Sequence, residues 1–487
     1  MRHDLNGIAR LLIGESNWED RDTNSRLFRE ISLQIGNSAP EANALATGHS
    51  STGPLAMADV DGDGELDLFV GGRVVAGRYP EPANSVLLGS EGGRFRIMQK
   101  FPDLGLVSGA VFFDFDGDGD PDLALASEWD SIRVFRNDRG KLIEITKSLG
   151  LAPLKGWWNG LAAGDFDGDG RLDLVASNWG RNWRIDQPPT VEIPVQLFFG
   201  DFEENDVIQT LMASRDPWLI QTTPWRERKV VAAAMPTIAE RFPDHHAFGR
   251  ASVRELLGTK ADSARELRAN APDLMVFLNR GDHFEARPLP IEAQFAPAFG
   301  VSVADFDGDG NDDVFLAQNF FGVDAETSRH DAGIGLILLG DGRGDFRALG
   351  PREMGFAIYG EQRGSAVADF DGDGRPDLAV AQQSGPTKLL RNARGTPGVR
   401  VKLRGPRKNP TGIGAMIRLK FGERWGPARG IQAGSGYWSQ DSAAVILATP
   451  EPPTALEVRW PGGQVREWSW PAKAEAVEVS AEALQSN

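Results

Sequence analysis

The sequence predicts an all-β protein: a β-propeller of about seven blades with a helical insertion, followed by a small β domain. Three observations carry this. The nine-residue pattern D-x-D-G-D-G-x-x-D occurs five times, beginning at Asp59, Asp114, Asp165, Asp305 and Asp369. A short apolar run enters each copy and another leaves it, as in LAMADVDGDGELDLFVGG (55–72) and SAVADFDGDGRPDLAVAQQ (365–383). The first aspartates stand 55, 51, 140 and 64 residues apart, and a pitch of ~50–60 residues is that of one propeller blade.

Taken in chain order, RLFREISLQI (26–35) reads as the outer strands of an early blade, and the five strong repeats follow from residue 55. The 140-residue gap holds VQLFFGDFEENDVIQTLMA (195–213), which keeps Asp201, Glu203 and Asn205 but lacks the glycines and the closing aspartate. It reads as a blade whose metal loop has decayed. Six loops and the N-terminal piece favour seven blades, with six or eight open. The Gly-rich turns SEGGRF (90–95), NDRGKL (137–142), NRGDHF (279–284) and GDGRGDF (340–346) mark hairpins within blades. Residues 232–270 break the β pattern, and Ser252 with Glu255 forms a capping box ahead of Leu256 and Leu257, so a helical excursion is expected there. The propeller is expected over 1–394. Alternating apolar and polar residues with Gly and Pro turns predict a compact β domain over 395–487.

The loops have the chemistry of a calcium site. Calcium takes six to eight oxygens at ~2.3–2.6 Å. Carboxylates at positions 1, 3 and 5 converge when the chain curls tightly, and glycines at 4 and 6 permit the curl. Position 7 offers its backbone carbonyl and the aspartate at 9 closes the cage. The expected ligands are Asp59, Asp61, Asp63, Glu65 and Asp67; Asp114, Asp116, Asp118, Asp120 and Asp122; Asp165, Asp167, Asp169, Arg171 and Asp173; Asp305, Asp307, Asp309, Asn311 and Asp313; and Asp369, Asp371, Asp373, Arg375 and Asp377. An EF-hand would need Glu at position 12, where the first loop has Val70. The expectation is therefore five structural Ca²⁺ sites of the strand–loop–strand kind.

Charge and composition narrow the function. The net charge of −17 supplies no basic stripe for nucleic acid. The five loops hold 23 carboxylates, so the acidity belongs largely to the metal loops. With no Cys, disulfides and thiolate metal sites are excluded. No apolar run reaches the ~20 residues of a membrane span, and the apolar patch near Met1 is too short for a signal-peptide core. Millimolar calcium suits loops of this kind, so an extracellular, cell-surface or periplasmic location is expected, with a native start upstream of Met1. Trp157, Trp158, Trp179 and Trp183 flank the third loop with Asn159, Asn178 and Asn182 among them. They form a candidate glycan platform, or else packing between blades.

The repeats resemble the FG-GAP/VCBS repeats of integrin-type propellers, in which the same nine-residue loop binds calcium. The C-terminal words Asn409 with GIGAMIRL (412–419), GSGYWSQDS (434–442) and LEVRWPGG (456–463) resemble the ASPIC/UnbV domain. Repeats paired with such a domain resemble the cartilage acidic protein family and its bacterial relatives. The resemblance implies architecture more than activity; the expected function is a non-enzymatic, calcium-dependent binding or adhesion module with a glycan or protein ligand. A glycan lyase or hydrolase on the propeller and a structural spacer in a larger surface protein are the alternatives.

Overall fold

The computed structural model describes residues 50–92, 94–182, 189–323, 327–471 and 474–486, together with the strands Leu11–Gly14 and Phe28–Ile31, which pair antiparallel. The rest of 26–35 and Trp183 lie outside the described residues.

Five sheets carry the five aspartate loops. In each, an inner strand runs into the loop and a second strand leaves it: Ser50–Ala58 and Asp67–Val75, Leu106–Phe113 and Asp122–Asp130, Leu161–Gly164 and Asp173–Ala176, Ala298–Ala304 and Asp313–Gln318, Gln362–Ala368 and Asp377–Gln382. Third and fourth strands complete the first four blades, whereas three strands make the fifth. All four expected Gly-rich turns join third to fourth strands. Successive inner strands lie side by side, from Ser50–Ala58 through to Gln362–Ala368. Apolar residues fill the spaces between blades: Phe69, Leu87, Val107 and Leu125 between the first and second, Val175, Val276, Val301 and Leu316 between the third and fourth. The protein is a β-propeller with a C-terminal β unit.

The 195–213 segment is not a further blade of the ring. Its strands Val195–Gly200 and Gln209–Asp216 belong to a sheet completed by Gln221–Pro224 and Arg265–Ala269. That sheet is spliced into the third blade, whose second strand pairs directly with Met275–Asn279 through Leu174 and Phe277. The helices Arg228–Ala234, Pro236–Arg241, His245–Gly249 and Val253–Leu257 lie in the same insertion. Ser252 and Glu255 close the expected capping box. Thus the described residues supply five ring blades, and the sixth loop hangs from the third.

The C-terminal unit packs two sheets. Val399–Arg404 pairs with Val445–Leu447 and, in parallel, with Ala476–Ser480. Met416–Phe421 pairs with Ala455–Arg459, which pairs with Val465–Ser469. Val401, Leu403, Ile417, Leu456, Val458 and Val479 form the core between them.

One segment of this unit, 428–442, enters the centre of the propeller. Met57 N donates to Ala433 O at 2.9 Å, and Leu161 and Gly436 exchange both backbone bonds at 3.0 and 2.7 Å. Ser442 N donates to Val367 O, and Val367 N donates to Asp441 Oδ1. Only glycine fits where this segment passes the inner strands. A Cβ on Gly434 would stand 2.2 Å from Leu55 O, and one on Gly436 would stand 2.6 Å from Val301 O, both at positive φ.

Candidate metal centres

Each loop brings three carboxylates together. Asp59, Asp61 and Asp67 offer oxygens within 4.8 Å of one another, as do Asp114, Asp116 and Asp122; Asp165, Asp167 and Asp173; Asp305, Asp307 and Asp313; and Asp369, Asp371 and Asp377. These are positions 1, 3 and 9. The curl that makes them converge is built from backbone bonds. Asp305 at position 1 accepts from Gly308 N at 2.7 Å and Gly310 N at 2.8 Å. Those two glycines have φ of 78° and 99°, a region most side chains avoid. The aspartate at 9 accepts twice: from the amide at position 2 and from an amide near the end of the third strand. The donors are Val60 and Ser90 for Asp67, Phe115 and Asn137 for Asp122, Phe166 and Asn279 for Asp173, Phe306 and Gly340 for Asp313, Phe370 and Asn392 for Asp377.

Position 5 stands apart. Asp63, Asp118, Asp169, Asp309 and Asp373 lie outside the triads, and each accepts from the amide at position 7. Arg171 and Arg375 further engage Asp169 and Asp373. Glu65 pairs with Lys408, Arg171 donates to Asn279 O, and Arg375 donates to Gly395 O. Asp120 and Asn311 hold the remaining position-7 places.

The triads are strained without a counter-charge. Burial pushes the carboxyl of Asp67 up to about 6, those of Asp165 and Asp305 to about 7, those of Asp122 and Asp173 to about 8 and that of Asp313 to about 9. Neighbouring aspartates add to the shift in each. Buried oxygens Asp59 Oδ1, Asp165 Oδ1 and Asp167 Oδ1 have no hydrogen-bond partner. A carboxylate triad with orphaned buried oxygens fits a hard divalent cation.

The decayed loop keeps the curl and loses the charge. Asp201 accepts from Asn205 N and Asp206 N, both at 2.9 Å, while Glu204 and Asp206 take the positive φ of the missing glycines. Gln209 stands where the closing aspartate would, and its Oε1 accepts from Phe202 N. An amide reproduces the structural bond without the anion.

Some residues of these centres were not singled out as ligands or partners in the sequence. Asn137 Nδ2 donates to Val60 O, Asn279 Nδ2 to Phe115 O and Asn392 Nδ2 to Phe306 O. Each thereby ties the end of one blade's third strand to position 2 of the preceding blade's loop. Their signal is an asparagine ahead of a hairpin turn, 15 residues past the closing aspartate in the second and fifth blades.

The C-terminal unit covers the loops. Lys408 Nζ meets Glu65 Oε1 at 2.8 Å, and Arg459 reaches Asp114 Oδ2 and Gly117 O. Ala428 N donates to Asp165 Oδ2 at 2.8 Å. Arg429 pairs with Asp312, whose Oδ2 accepts from Asp165 N, so one arginine links the third and fourth loops. On the connecting stretch, Thr396 N bonds Asp307 O and Gly398 N bonds Gly374 O. All five loops therefore share one face, with the third-to-fourth strand turns beside them.

Two family models match here: residues 114–176 as an FG-GAP-like repeat and 363–396 as an FG-GAP repeat. A third, ASPIC and UnbV, matches 405–485. The chain is an FG-GAP-repeat protein with a C-terminal ASPIC/UnbV domain. No curated protein matches it. Among solved structures it is similar to BBS1N in complex with ARL6DN, at 10% identity and a TM-score of 0.29, covering 88% of this chain and 95% of that one. It is similar to the exotype rhamnogalacturonan lyase YesX at 12% identity and 0.29, covering 87% and 66%. The V. cholerae biofilm matrix protein Bap1 follows at 11% and 0.27, covering 91% and 62%.

Among the described residues, the tryptophans expected as a platform beside the third FG-GAP loop are buried or half-buried. Trp157 is 7% exposed and Trp158 fully buried. Trp158 packs on Phe277 between the second and third blades, and Trp157 lies edge-on to Trp129 at 4.5 Å. Trp179 is half-buried against Phe320 and His330. The amides between them are structural: Asn178 accepts from Trp157 N and Trp179 N and donates to Ala271 O, and Asn159 donates to Ala298 O.

Proposed function

We propose that this protein is a calcium-loaded binding or adhesion module that acts outside the cytoplasm. The FG-GAP repeats suggest a module of this type, and the aspartate clusters can hold metal ions. The observation that carries the calcium reading is the fivefold recurrence of one carboxylate triad closed by a buried aspartate, with oxygens left unpartnered in the first and third. Calcium accepts irregular cages of carboxylate and carbonyl oxygens, whereas magnesium demands a near-octahedral one. The ion's role is structural: it offsets repulsion within each loop and holds the curl. We place the repeat unit over 1–394 and the C-terminal domain over 395–487. Among the described residues no helix is long and apolar enough to cross a membrane.

Thermal unfolding with and without chelator tests the reading. A ligand bound only by the folded state stabilises by about 4 kcal/mol per site at a thousandfold excess over its Kd. Chelation is expected to lower Tm by many degrees, and calcium to restore it further than magnesium does. A melting curve indifferent to chelator would overturn the calcium assignment.

A further inference from the structure

The chain has 3 Tyr against 26 Phe, and all three tyrosines stand at the end of the propeller opposite the aspartate loops. Inner strands run toward the loops, so their first residues and the last residues of the second strands mark this far end. Tyr79 Oη accepts from Trp129 Nε1 at 2.8 Å, just past the first blade's second strand. Tyr359 precedes the fifth blade, with Asn319 bonded to the carbonyl of Gly360 beside it. Tyr437 lies on the C-terminal segment that threads the centre, against Phe299. Tyr79 and Tyr359 are exposed there, while Tyr437 is buried against Trp438.

The rings form one connected arc. Trp129, Trp157, Trp179, Phe320, Phe299, Tyr437 and Trp438 follow one another at centroid distances of 4.5, 6.5, 5.2, 6.1, 5.3 and 4.8 Å. Trp438 ends the arc. It stacks on Tyr437 at an interplanar angle of 11°, holds a left-handed φ of 53° and is 58% exposed. One indole face is thus fixed by Tyr437 and the other is open. Tyr359 is 71% exposed and Tyr79 41%. Two ion pairs flank the arc, Arg73 with Glu128 and Arg363 with Glu361. Arg363 lies over Phe299 at 3.9 Å, and the buried Arg73 Nη1 has no hydrogen-bond partner.

We propose that this mouth binds a neutral sugar ring of a carbohydrate chain, stacked on the open face of Trp438, with Tyr359 exposed at the same end of the propeller. A rigid indole with a free face suits the C–H side of a pyranose. Each arginine is neutralised by its glutamate, so the mouth offers donors and acceptors without net charge, which matches hydroxyls rather than an anion. Tyr, Trp and Arg are also the residues that dominate binding energy at recognition surfaces. The site rests on reading the protein as a binding module, and it lies on the face away from the metal loops.

The test is an oligosaccharide array of neutral, uronate-bearing and sulfated glycans, probed with the calcium-loaded full chain and with Trp438→Ala and Tyr359→Ala. Wild type is expected to retain neutral glycans and each variant to bind them about tenfold more weakly or worse. Should Trp438→Ala fold poorly by circular dichroism, Tyr359→Ala decides. Retention of no glycan, retention unchanged in both variants, or salt-sensitive retention of anionic glycans alone would overturn the site. Because calcium is scored separately by melting, loss of glycan binding with a calcium-dependent Tm removes this site only. Glycan binding with a calcium-independent Tm removes the metal reading only.

Discussion

Within one loop, positions 5 and 9 look alike in sequence and differ in what they touch. Asp122 bonds two buried amides and belongs to the triad, while Asp118 is exposed and outside it. Asp122→Ala leaves both amides without acceptors, at about 1–3 kcal/mol each. Urea unfolding in chelator should therefore show Asp122→Ala destabilised by roughly 2–4 kcal/mol and Asp118→Ala by less than about 1. Equal losses would show that position 5 supports the folded loop no less than position 9. The raised carboxyls also set a pH dependence. An aspartate ordinarily titrates near ~3.9, whereas Asp122 and Asp173 are held up to about 8 and Asp313 to about 9. The metal-free fold binds protons more tightly than the unfolded chain there. Its contribution from these groups is full below pH ~4 and is lost as pH rises through 8 to 9. Bound calcium requires the ionised form, so the Tm difference between calcium-loaded and metal-free protein should widen from pH 5.5 to pH 8. A constant gap would mean these carboxyls do not take up the metal.

At the level of blades, the coupling runs through side chains as well as apolar packing. Asn279 is fully buried: its Nδ2 bonds Phe115 O of the second blade's loop, its Oδ1 accepts from Gly281 N, and its own amide bonds Asp173. Asn279→Ala strips the second loop's position-2 carbonyl and the third blade's hairpin of partners together. Calcium titration should then show two weakened sites, the second and third, while Asn137→Ala weakens the first and second. A defect confined to one loop would argue against this coupling. The loops themselves were legible because each copy needs the same oxygens and the same glycines. The splice in the third blade was not, since it depends on Leu174 pairing with Phe277 across 102 intervening residues, which spacing does not encode. The tryptophans misled for a related reason. An alternation of Trp and Asn is the same whether it faces a sugar or the next blade, and Trp129, far upstream, closes over Trp157. Asn159 and Asn178 likewise satisfy backbone groups that lie remote in sequence.

Across the whole molecule, the aspartate loops sit between two bodies, so under the proposed calcium reading metal binding and domain docking are coupled. Lys408, Arg459 and Arg429 approach Glu65, Asp114 and Asp312, and the amide of Ala428 bonds Asp165 itself. These contacts need the loops in their curled form, which places Gly119 against Gly463 and Gly310 against Pro450. Removing the ions leaves several like charges in each loop, and repulsion opens the curl that the cap rests on. The segment 428–442 then loses its seat, because its bonds to Met57, Leu161 and Val367 depend on the cap being docked. Chelator should therefore raise amide hydrogen exchange at Met57, Leu161, Gly436 and Ser442 well before the inner strands of the blades exchange. The same treatment should leave exchange in the C-terminal core strands Met416–Phe421 and Ala455–Arg459 unchanged. Arg429→Met, which removes the guanidinium shared between the third and fourth loops while keeping its apolar stem, should open the same amides even with calcium present. If exchange at those positions stayed protected in chelator while Tm fell, the metals would stabilise the blades alone and the cap would be held by its apolar and backbone contacts.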